Sequence, residues 1–140
     1  MKSTKAIILA AAVLLGAASC KKYEEGPMLS LRSKKERVAN DWRIGKAMNG
    51  DEDVTSDFDE YHVVFTKDNK TTLTATYKFL GTTYRFTTSG TWSFESDKEK
   101  LKVDYENDDA DNTYLIIRLT EKEMWLREEG SSLELHLVPR

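Results

Sequence analysis

From Trp42 onward, apolar and polar residues alternate with a period of two along almost the whole chain. Tyr61, Val63 and Phe65 share one parity, as do Leu73, Ala75, Tyr77 and Phe79, and then Tyr84, Phe86, Trp92 and Phe94. Leu101, Val103 and Tyr105 follow, then Leu115, Ile117 and Leu119, next Met124 and Leu126, and last Leu133, Leu135 and Leu137. Antiparallel strands buried on one face give this alternation. The breaks between runs read as hairpin turns: Lys67-Asp68-Asn69-Lys70, Leu80-Gly81-Thr82, Glu95-Ser96-Asp97-Lys98, Glu121-Lys122-Glu123 and Gly130-Ser131. About eight short strands in up-and-down order result. So many strands in so short a chain must curl and close to hide their edges. The fold class is therefore all-β, a small antiparallel up-and-down barrel or rolled meander. Before it, Ser33-Lys34-Lys35-Glu36 forms a capping box, so a short helix is expected from about 33 to 39, with Asn40 stopping it in a left-handed conformation. Gly90, inside a long run, suggests a bend or bulge.

Parity also sorts the aromatic residues. Tyr77, Phe79, Tyr84, Phe86, Trp92 and Phe94 fall on the inward face of neighbouring strands, and five of them (Tyr77, Tyr84, Phe86, Trp92 and Phe94) are the candidates to line a ligand cavity. They could equally fill a narrow barrel, because eight strands enclose little beyond their own side chains. Trp125, Ile116 and Val64 fall on the opposite face, where an apolar patch would serve a protein partner.

The first twenty residues follow another rule. Lys2 and Lys5 precede an uncharged run from Ala6 to Ala18, too short to span a bilayer comfortably and suited to the core of a signal peptide. Gly16-Ala17-Ala18-Ser19 then leads to Cys20, the one cysteine of the 140-residue chain. A single cysteine excludes an internal disulfide and a thiolate metal cage. The segment resembles a bacterial lipoprotein signal. That resemblance implies cleavage after residue 19 and acylation, as with palmitate, at Cys20, followed by a tether over 20–30 and a β domain over 31–140. Ala17 stands where such signals prefer leucine. Lys21-Lys22-Tyr23-Glu24-Glu25 resembles the short charged signal that directs lipoproteins of the Bacteroidota to the cell surface. An outer-membrane location, at the cell surface rather than the periplasmic face, is what these resemblances imply. Loss of Lys2 and Lys5 takes the formal charge from −3 to −5. That balance does not favour nucleic acid or an anionic lipid face.

The body of the chain carries a second resemblance. A helix leading into Asn40-Asp41-Trp42-Arg43-Ile44 resembles the opening of lipocalin-like domains, with Asn40 in place of the usual glycine. Ser89-Gly90-Thr91-Trp92-Ser93-Phe94 and Tyr114-Leu115-Ile116-Ile117-Arg118-Leu119-Thr120 are similar to later parts of small lipocalin-like lipoproteins. The resemblance spans residues 31–138. It implies that an arginine of the late strands, Arg127 first and Arg118 second, packs on Trp42 to close one barrel end.

Reactive chemistry is sparse. The sequence holds no nucleophile motif, phosphate loop or metal-binding helix motif. His62 and His136 sit at polar parity and read as exposed strand residues. Asp104, Glu106 and Asp108 have the spacing of a calcium loop, but Asp109 replaces its turn glycine and Leu115 its bidentate glutamate. Metal and cofactor are therefore both expected to be none, and the acids of the exposed loops lack the burial that general-acid work needs. The sequence-level expectation is a non-enzymatic, lipid-anchored binding protein for a small apolar or glycan ligand. The alternative is an accessory subunit of an outer-membrane complex with a filled, ligand-free barrel.

Overall fold

The computed structural model describes residues 32–140. The expected signal peptide over 1–19, Cys20 and the expected tether over 20–30 therefore lie outside the described residues. The chain opens with a helix, α1, over Lys34–Val38. Its capping box forms as the sequence requires: the Glu36 amide donates to Ser33 Oγ and the Ser33 amide to a Glu36 carboxylate oxygen, both at 3.2 Å. Asn40 does not stop this helix in a left-handed conformation. Extended backbone at Ala39 (φ −69°, ψ 100°) carries the chain straight into the first strand.

Nine strands follow: β1 (Asn40–Asn49), β2 (Glu52–Asp53), β3 (His62–Phe65), β4 (Lys70–Phe79), β5 (Thr82–Glu95), β6 (Lys100–Tyr105), β7 (Asn112–Leu119), β8 (Met124–Glu128) and β9 (Leu133–Pro139). Each pairs antiparallel with its neighbour, and β1 also pairs with β9, so eight strands close into a barrel while β2 adds a two-residue extension to β1. Closure removes the edges that an open sheet of this size would expose.

The inward positions form one continuous core, with Trp42, Leu101, Leu119 and Met124 fully buried. Two register shifts make the alternation fit the closed sheet. One lies between Ile44 and Lys46, so Trp42, Ile44 and then Ala47 all face inward. The other lies between Ile116 and Arg118. It corrects the sequence reading of β7: Tyr114, Ile116 and Leu119 are the buried residues, and Ile116 is not part of an outer patch. A bulge puts one extra residue into the strand and reverses the parity beyond it. Gly90 needs no bulge, because β5 stays in register with both neighbours there. A Cβ at that position would instead collide with the β6 backbone at Asp104 and Tyr105.

The expected closure of one barrel end through Arg127 and Trp42 is not what the structure has. Arg127 alternates outward from Leu126 and bonds Glu134 Oε2 at 2.8 Å. Arg118 lies over the outer face of Trp125, 5.1 Å from the ring centroid. Trp42 is fixed by its own helix, its indole donating to the Val38 carbonyl at 2.8 Å, and Arg37 ties that helix to the Leu119 carbonyl at 3.3 Å. The outward-facing Trp125 stacks on His136 (centroids 4.0 Å apart, planes 7° apart), and His136 bonds Glu134. His136 is thus packed into an outer-face cluster. Burial alone would raise the Glu134 carboxyl, but hydrogen bonds from His136 and Arg127 outweigh it and hold the group below the usual carboxylate range.

Candidate binding site at the barrel mouth

The barrel is filled at the α1 end and hollow at the other. Trp42 and Trp92 are buried at the α1 end: Trp92 lies edge-on to Phe65 and Phe94, and its indole donates to the Thr66 carbonyl at 2.9 Å. At the opposite end is a cavity of about 290 Å³. It is lined by Leu73 and Ala75 of β4, Phe86 of β5, Tyr114 of β7, Glu128 of β8, and Leu133 and Leu135 of β9. Phe58 and Tyr61, from the segment before β3, cover one side, and Asn107, Asp109 and Ala110 the other.

The two covering segments are anchored by local hydrogen bonds. A 3-10 turn over Thr55–Phe58 is held to β1 because the Ala47 amide donates to Thr55 Oγ1 (3.0 Å) and the Val54 amide to the Ala47 carbonyl (2.9 Å). Asp53 accepts from the Thr55 hydroxyl and amide, and these bonds lower its carboxyl below the ordinary range. A second 3-10 turn, Asp108–Ala110, is capped by Asn107, whose own amide donates to Thr88 Oγ1 at 3.1 Å. Polar turns sit beside an apolar lining because their backbone groups are satisfied before they reach it.

Two phenols, Tyr61 and Tyr114, line the cavity, and a third, Tyr105, is buried in the core. Tyr61 and Tyr114 are close enough for each phenol to perturb the other, and the Tyr105 hydroxyl lies 3.3 Å from Thr71 Oγ1. Burial, then the charge of Glu128, pushes the Tyr114 phenol up to about 12. Burial also raises Tyr61 and Tyr105, with the neighbouring phenols adding to it. Glu128 lies on the inward parity of β8, after Met124 and Leu126, and accepts from Asn112 Nδ2 at 2.8 Å.

The sequence candidates divide along the barrel axis. Phe86 lines the cavity. Tyr77 stands outside it, 6.0 Å from Phe86 between centroids, in an adjoining cleft of about 490 Å³ that shares Asp57 and Thr76 with the cavity. Tyr84 stacks on Tyr77 (5.5 Å, 22°) and is exposed. Trp92 and Phe94 do not line the cavity, because they belong to the filled end. The reason is strand length. β3 pairs with β4 only as far as Thr74 and β6 with β5 only from Gly90, so the β4–β5 hairpin projects beyond the barrel. Its inward residues near the tip face solvent: Tyr77 is 52% exposed, Phe79 58% and Tyr84 44%, with Leu80 in the turn at 88%. Sequence reasoning did not select Tyr61, Tyr114 or Glu128. The parity of Met124, Leu126 and Glu128 was the available signal for the last.

Among the described residues, no group of three or more His, Cys, Asp or Glu is placed to hold a metal ion, and no helix is long and apolar enough to cross a membrane.

An eight-stranded closed meander with one filled end, a helix sealing it and a cavity at the other end defines a small calyx-like β-barrel. The chain belongs to the family of lipocalin-like domains, whose family model matches residues 38–126, more than half of its length. Its fold is similar to the crystal structure of a DUF4847 family protein from Bacteroides vulgatus (TM-score 0.53, 8% identity, 76% of this chain and 96% of that one covered). At that identity the likeness concerns fold alone. No curated protein matches the chain. A lipocalin-like barrel suggests a small-ligand binding domain, and the family is in general a binding fold rather than an enzymatic one.

Proposed function

We propose that this protein is a lipid-anchored outer-membrane lipoprotein that binds a small, largely apolar ligand in the mouth of its barrel. The observation that carries the binding reading is the cavity of about 290 Å³, lined by apolar side chains such as Leu73, Phe86 and Leu135 together with the phenols of Tyr61 and Tyr114. Sites for small molecules have this composition, apolar walls with a few placed polar groups. The stacked pair Tyr77 and Tyr84 extends the aromatic wall from Phe86 toward solvent and gives a flat face for a sugar or apolar ring. Titration of the full chain with octyl glucoside and with octanol, followed by calorimetry, is expected to show one saturable site weakened at least tenfold by Phe86→Ala. Absence of saturable binding by both probes overturns the reading.

Anchoring at Cys20 and display at the cell surface rest on the signal-like N-terminus. Several acyl chains on one residue would hold a soluble domain firmly, where one would not. Cys20→Ser is expected to move the protein from the membrane to the soluble fraction, and protease treatment of intact cells to remove the domain. Retention of the variant in the membrane argues against the anchor, and protection from protease against surface display.

One observation favours the interaction-subunit reading: among the described residues, the large exposed hydrophobic ones, Tyr77, Phe79, Leu80 and Tyr84, all cluster on the projecting hairpin. If a partner covers the hairpin, Phe79→Ser with Leu80→Ser abolishes co-purification from membranes while leaving the melting temperature in place.

A further inference from the structure

We infer that the mouth cavity selects a positively charged amphiphile, an alkyl or aryl amine, over a neutral one and against a fatty acid. This inference rests on the reading of the cavity as a ligand site and assigns its charge preference. Three carboxylates line the cavity, Asp57, Asp109 and Glu128, and its lining contains no lysine, arginine or histidine. None of the three takes part in an ion pair among the described residues. The basic residues beside the cavity-lining positions are directed elsewhere. Arg85 precedes Phe86, alternates to the other face of β5 and pairs with Glu60 at 3.2 Å. Arg127 precedes Glu128, alternates to the outside of β8 and pairs with Glu134 at 2.8 Å. Strand parity therefore sends cations out and leaves the acid in.

The charge is placed where it would act. Glu128, half-buried, lines the same cavity as Tyr114, Phe86, Leu133 and Leu135. An ammonium group near Glu128 would meet a carboxylate and aromatic faces, both of which attract it more strongly when water is partly excluded. The alkyl body would lie against the leucines. A carboxylate head group would meet the half-buried Glu128 and the solvent-exposed Asp57 and Asp109, with no cationic side chain in the cavity lining to offset them, which is a built-in element of rejection. The charge of Glu128 is already felt inside the site, since it contributes to the raised Tyr114 phenol.

A matched series tests this on the full chain: octylamine, octanol and octanoate at neutral pH, each titrated by calorimetry. Octylamine is expected to bind at least tenfold more tightly than octanol, and octanoate to bind more weakly than both. Glu128→Gln, which keeps an acceptor for Asn112, is expected to close most of the gap between octylamine and octanol. Asp57→Asn is expected to narrow it less, and serves as the second variant should Glu128→Gln fail to fold. Octanoate binding as well as octylamine overturns the charge preference and leaves the cavity as a ligand site. An amine advantage that survives both variants overturns the assignment to these carboxylates. Failure of all three probes to bind removes the cavity reading itself.

Discussion

The two ends of this barrel are made from the same strands, yet one is solid and the other hollow. At the α1 end the inward residues are bulky and every strand has both neighbours, so Trp42, Trp92, Leu119 and Met124 pack with almost no exposure. At the mouth the inward residues of β4 and β5 continue their alternation after β3 and β6 have stopped pairing with them. The same pattern that fills a core at one end therefore leaves aromatic side chains in solvent at the other. Stability and binding are divided along the axis: one end stabilises the fold and the other offers a surface.

The largest expected effect comes from reversing roles across that divide. Trp92→Ala removes an indole that is 2% exposed and hydrogen-bonded to Thr66, and is expected to cost about 3–5 kcal/mol in urea unfolding. Phe86→Ala, at the cavity wall, is expected to cost under about 2 kcal/mol, since only part of its ring is out of water. Equal losses would mean that the mouth is a stabilising part of the core, and the division between the ends would fail.

Much of this division was legible in the sequence and some of it was not. The count of eight barrel strands, their order, the capping box at Ser33 and the turn positions follow from local periodicity, which the structure keeps. Alternation assigns a residue to a face but not to a height along the axis. Tyr84 and Trp92 have the same parity and lie at opposite ends for that reason. The bulge in β7 shifted parity at Ile116 without any glycine or proline to announce it. Part of the cavity lining comes from segments the pattern treated as loops, near Phe58 and Asn107, whose positions depend on hydrogen bonds with the strands: the Ala47 amide donates to Thr55, and the Asn107 amide to Thr88. Glu128 was readable as an inward acid, because Met124 and Leu126 set its parity.

A second prediction, of intermediate size, uses the phenols of the mouth. Tyr114 is raised from its ordinary value of 10.0 to about 12 in the folded state. A raised phenol contributes stability that is complete below the unfolded value and is lost as pH rises through the folded one. Stability is therefore expected to fall between pH 10 and about 12, by on the order of 2 kcal/mol from this residue. Tyr61 and Tyr105, shifted in the same direction, add to the fall. In Tyr114→Phe the fall over that window is expected to be shallower. An unchanged alkaline profile would show that the phenol is already in contact with solvent and that the mouth is more open than its walls imply.

The smallest effect concerns the hairpin tip. Leu80 and Gly81 both take positive φ (51° and 79°), between Phe79 and Thr82, which pair directly. Such a two-residue turn favours Asn-Gly, and leucine in that conformation is strained. A leucine that is 88% exposed gains no burial to offset the strain. Leu80→Asn is accordingly expected to raise stability by about 0.5–1 kcal/mol, read as a higher urea midpoint at unchanged slope. The gain would sharpen the contrast between the ends: the solid end spends its apolar residues on packing, whereas the tip keeps an apolar residue at a position where it weakens the fold. A loss of stability instead would mean that Leu80 packs on Phe79 or Tyr84 in solution, and the tip would then be a small core of its own.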